Sequence, residues 1–131
     1  MIDWSPGPGV RTIGGQLFEI AVVEHEAIAW LMEGRTVSDG EAEAEFGDIR
    51  SLENLKATLS SVRQATVKAI ESLSDAQLDE SIPLKKPWFA MPGLGSAPRA
   101  ELFRGIALHE WYHVGQLMSY LWARGDNPYD W

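Results

Sequence analysis

His109-Glu110-Trp111-Tyr112-His113 places two imidazoles four residues apart. On a helix that spacing stacks both side chains on one face, close enough to grip one cation. With about 100° per residue, both histidines fall on the same stripe as Leu102, Ile106, Leu117 and Tyr120, in its middle and not at its border. Each buried ring nitrogen left without a partner costs about 1–3 kcal/mol. A shared metal ion satisfies both rings at once. The bland alternative is a pair of hydrogen-bonded core histidines. The string also matches H-E-x-x-H, the pattern in which a zinc peptidase binds metal through two histidines and activates water through the glutamate. No histidine follows His113 to supply a further ligand, and Gln116 stands where one large peptidase subgroup has glycine. The peptidase is the weaker reading.

Three long helices are expected to position these residues. Thr12 offers an N-cap to the first, at about 12–33, with apolar residues at Ile13, Leu17, Ile20, Ala27, Ile28 and Leu31 and a stop at Gly34. The second runs from about 49 to 73 on Leu52, Leu55, Leu59, Val62, Thr66, Ile70 and Leu73. The third is expected from a cap at Ser96 to about Arg124, carrying Pro98 in its first turn. Between the first two, the acidic run Glu41–Glu45 reads as a solvated connection or short helical turn. Residues 75–95 hold Pro83, Pro87 and Pro92 and exclude a long helix; the section reads as a loop anchored by Trp88 and Phe89. No strand is evident. The fold class is an all-α bundle, expected as one domain over 1–131.

The chain has 131 residues and no cysteine, which removes disulfides, thiolate metal sites and cysteine nucleophiles. Eleven Lys and Arg against nineteen Asp and Glu give a net charge of −8, so a nucleic-acid partner is not expected. No apolar run reaches the roughly 20 residues that span a bilayer, and the first residues do not read as a signal peptide. A cytoplasmic location and no membrane partner are the expectations.

The C-terminal helix carries a longer pattern: His109-x-x-x-His113-Val114-Gly115-Gln116-Leu117, then Tyr120-Leu121 and Gly125. It resembles the signature helix of the DinB/YfiT-like family of metal-binding four-helix bundles. Trp4-Ser5-Pro6-Gly7-Pro8-Gly9-Val10-Arg11-Thr12-Ile13-Gly14 is similar to the segment that leads into that family's second helix, with Val23-Glu24 and Leu31 continuing the match. The family begins with one more helix, which this chain would lack. The groove so exposed implies self-association, as a homodimer or higher oligomer.

The resemblance implies a third ligand in the helix at 12–33, where this chain has Glu19. On helix geometry alone Glu19 stands near the border of the apolar face, as an ordinary surface carboxylate does. His25 is the other ligand choice, about 240° further round the helix, and a site with no third protein ligand is also open. Glu24 faces the core, either fixing a histidine tautomer or pairing with an arginine or a tryptophan N–H. Glu19, His109 and His113 together suit iron, zinc, nickel or manganese without choosing between them. The family implies a metal-dependent enzyme, a thiol S-transferase or hydrolase acting on a small molecule. Glu110, Tyr112 and Tyr120 are then candidates for proton handling, and Trp88, Phe89 and Met91 for lining the entrance. The rival is a non-catalytic oligomeric helical module whose metal is structural or lost.

Overall fold

The structure is a computed structural model that describes residues 1–47, 50–84 and 93–130. Trp88, Phe89 and Met91 lie outside the described residues. Three long helices dominate: α1 over Ile13–Glu33, α3 over Leu52–Glu71 and α5 over Arg99–Ala123. The first begins as its sequence dictates. The Thr12 side chain accepts from the Gly15 amide at 3.0 Å, satisfying one donor of the open first turn. It ends at Gly34, whose φ of 66° lets its amide turn back onto Ala29 and Trp30. Ser51 caps α3 by accepting from the Asn54 amide at 3.2 Å.

α1 is the central helix and packs along both α3 and α5. Its early residue Gln16 reaches His113 and Tyr120, while its later residues Ala27 and Leu31 join Leu102 and Ile106 in the main apolar cluster. α1 and α5 therefore run in opposite directions. The cluster also takes in Ala69, Ala97 and Phe103. The apolar core fills one end of the bundle, and buried Gln16, His109 and His113 occupy the other.

The acidic run between the first two long helices is a short helix, α2 over Asp39–Phe46, held by a reciprocal cap between Ser38 and Glu41. Ala42 is fully buried in it, and with Val37 it joins Val22 and Ala29 in a second apolar cluster. The glutamates are a solvated face around that one small contact.

The third helix starts later than expected. Ser96 does not cap it; Ser96–Pro98 is a strand, β2, paired antiparallel with β1 at Ser81–Pro83. Ile82 and Ala97 face one another in the register. Each precedes a proline, which disfavours the helical region and drives the backbone to an extended conformation. A five-residue helix, α4 over Asp75–Asp79 and capped by Ser74, lies between α3 and β1. Among the described residues, no helix is long and apolar enough to cross a membrane.

Candidate metal centre

Glu19, His109 and His113 meet between α1 and α5. One ligand atom from each lies within 4.8 Å of the others. The two imidazoles are buried and face each other through Nε2, 3.1 Å apart, and Glu19 Oε2 lies 3.8 Å from His113 Nε2. Two nitrogens held at about 2.0–2.1 Å from one tetrahedral ion stand about 3.3 Å apart, so the spacing of the pair is that of two ligands on one cation.

Which nitrogens face the centre is decided by a neighbour. Gln16, buried at 4% exposure, has its amide N–H donating to the Tyr120 hydroxyl at 3.0 Å. Its carbonyl Oε1 is thus left to accept from His113 Nδ1–H. With the proton on Nδ1, the Nε2 lone pair of His113 points at the centre. A metal-binding histidine is normally fixed in this way by a partner on its other nitrogen.

Burial also keeps the rings neutral. The pKa of His109 is pushed down to about 4, first by loss of water and then by the charges of His113 and Arg11. Burial lowers that of His113 too, against the pull of the Glu19 carboxylate. Both therefore present lone pairs near neutral pH. The Arg11 guanidinium forms an ion pair with Glu19 Oε2 from the exposed N-terminal segment. Beside this pair a cavity of about 610 Å³ opens, with Phe18, Val22 and Val23 on its apolar wall and Glu26 and Glu43 among its acidic residues.

Glu24 binds neither histidine. It is buried and takes a two-pronged contact from Arg63, at 2.8 and 3.0 Å, while Thr66 donates to it at 2.6 Å. Arg63 continues to Glu110 Oε2 at 2.6 Å. This chain ties α1, α3 and α5 together. It also engages the carboxylate that a peptidase of the H-E-x-x-H type needs as its base: Glu110 is turned toward α3 and lies outside the donor cluster.

His25 lies outside this donor cluster. Its ring packs edge-on against Phe46 and its Nε2 lies 3.4 Å from Glu45, so it belongs to the α1–α2 contact. Tyr112 is half-exposed with its ring against that of His113 at 5.3 Å. Tyr120 holds Gln16. Gln16 and Arg11 are the site residues that sequence reasoning missed, and an amide on the otherwise apolar stripe of α1 was the signal for the first.

Residues 2–117 match the family model described as the DinB superfamily. No curated protein and no solved structure matches the chain.

Proposed function

The chain belongs to the DinB superfamily, and from that premise we propose that it is a metal-dependent enzyme of the S-transferase or hydrolase type. The observation that supports this reading is the convergence of Glu19, His109 and His113 on one point, with His113 oriented by Gln16. Two neutral nitrogens and a carboxylate suit zinc, nickel, iron or manganese, and sulfur-selective metals find no ligand. When bound, such a cation lowers the pKa of a coordinated water or thiol, so that a nucleophile exists near neutral pH.

The residues of the chain then have distinct tasks. His109 and His113 would hold the cation through Nε2, and burial disfavours the charged form of both rings. Glu19 contributes negative charge and one oxygen. Arg11 pairs with that carboxylate from the solvent side, and the cavity next to it admits a small molecule with an apolar portion against Phe18, Val22 and Val23. Tyr120 and Gln16 orient without touching the substrate.

The test is to purify the protein without a histidine tag, measure bound metals, and assay thiol transfer and hydrolysis with and without them. About one equivalent of a divalent metal, lost in His113→Ala, is expected. Removal by chelator should lower Tm, because an ion that binds only the native state stabilises it. Metal well below one equivalent, unaltered by His113→Ala, overturns the proposal and leaves the oligomeric helical module.

A further inference from the structure

The side of α5 that faces away from the histidines is apolar and exposed. Leu108 is 53% exposed, Trp111 72% and Trp122 51%, and Tyr112 lies on the same side. These residues, with Gly115 and Ser119, follow steps of three and four and form one continuous stripe of about 21 Å at 1.5 Å per residue. The stripe carries no charge, in a chain whose net charge is −8.

Among the described residues nothing explains Gly115. A glycine inside a helix costs about 0.5–1 kcal/mol relative to alanine. A Cβ at this position would meet nothing within 4 Å, so no neighbour among the described residues requires its absence. A second helix approaching at close range does.

We infer that α5 packs antiparallel against α5 of a second copy of this chain, with Gly115 at the two-fold axis. Reversal about Gly115 sets Leu108 against Trp122 of the partner subunit, and Trp111 against Ser119 of the partner subunit. Trp111 thereby meets a small residue and Leu108 an aromatic one, and the same patch serves both copies. Glu101 and Arg104 lie at one end of the stripe and Arg124 and Asp126 at the other, so each rim carries both signs of charge. With about 150–250 Å² in each aromatic side chain, the exposed part of the stripe is on the order of 500 Å² per chain. Two copies then bury on the order of 1,000 Å², the lower bound for a specific interface and the size of a weak, concentration-dependent one. The histidine side of α5 remains accessible in this pairing.

The absence of cysteine makes the test direct. Gly115→Cys places two thiols across the axis, and Cα atoms about 4.4–6.8 Å apart are bridged without backbone movement. Mild oxidation is expected to convert Gly115→Cys to a covalent dimer, and a Ser60→Cys control on the exposed face of α3 to remain uncrosslinked. By sedimentation equilibrium the untagged wild type is expected to be a dimer at tens of micromolar. Trp111→Glu and Ser119→Trp are expected to be monomers with unchanged helical circular dichroism. A wild type that is monomeric at about 100 µM overturns the inference. So does a dimer that survives Trp111→Glu, or one that crosslinks through Ser60→Cys as readily as through Gly115→Cys. If either stripe variant fails to fold, the crosslinking pair decides.

Discussion

Gln16 of α1 accepts a hydrogen bond from His113 Nδ1 of α5, and this single contact decides which imidazole nitrogen is left for a cation. The same amide donates its N–H to the Tyr120 hydroxyl, so Gln16 links Tyr120 to His113. Gln16→Ala should therefore weaken divalent cation binding about 10- to 100-fold, the usual effect of removing a group that orients a metal-binding histidine. Competition with a chromophoric chelator measures this. Unchanged affinity would show that His113 is held by packing alone.

Arg11 should act in the opposite sense. Its guanidinium competes with any cation for Glu19 and repels it from close range. An exposed ion pair is worth about 0.2–1 kcal/mol, so Arg11→Ala is expected to tighten cation binding by about two- to fivefold. The gain should shrink as salt is raised. Weaker binding in this variant would mean that Arg11 positions Glu19 as a ligand.

The pH dependence of stability follows from the same burial. The pKa of His109 is about 4 in the folded chain and 6.5 for an exposed histidine. Between these values the unfolded chain takes up a proton that the folded chain refuses. Stability contributed by the neutral ring is thus present above pH 6.5, falls as the pH drops, and levels off below about pH 4. The loss is up to about 3 kcal/mol, and His113 adds to it with the same sign. Urea midpoints at pH 7 and pH 4.5, with and without His109→Gln, check the point. Wild type and variant falling in parallel would contradict it.

Arg63 faces Glu24, which among the described residues is the one buried carboxylate. Arg63→Met leaves that charge uncompensated and should cost about 3 kcal/mol or more in chemical unfolding. The double variant Glu24→Gln with Arg63→Met removes the stranded charge and should recover much of the loss. A double variant as unstable as the single one would mean that packing of the arginine stem, and not charge, carries the effect.

The histidine pair was legible because both rings are set by one helix, where spacing alone fixes direction. Glu19 was reached through the resemblance, since the angle of a border carboxylate reads equally well as surface. Gln16 was not seen, because its role exists only when α5 runs antiparallel to α1. The Glu24–Arg63 pair joins residues 39 positions apart, and helical periodicity carries no information across that separation; it showed only that Glu24 faces inward. The β1–β2 ribbon was missed because three-residue strands ending in proline have no alternation to detect. Its local signal was the two residues before proline, Ile82 and Ala97, which became register partners.

Much of the apolar surface of α1 is small: Ala21, Ala27 and Ala29 are buried but nearly featureless in shape. Alanines oppose a one-residue turn or slide less than the branched Ile20, Val22 and Leu31 beside them do. Glu24 engaging Arg63 and Gln16 engaging His113 do not permit it, because a one-residue slip would strand a buried carboxylate and a buried amide together. The two polar contacts work as indexing pins. They select one rotation and one height for the rod between two partners, and the oxygen of Glu19 arrives opposite the imidazoles as a result.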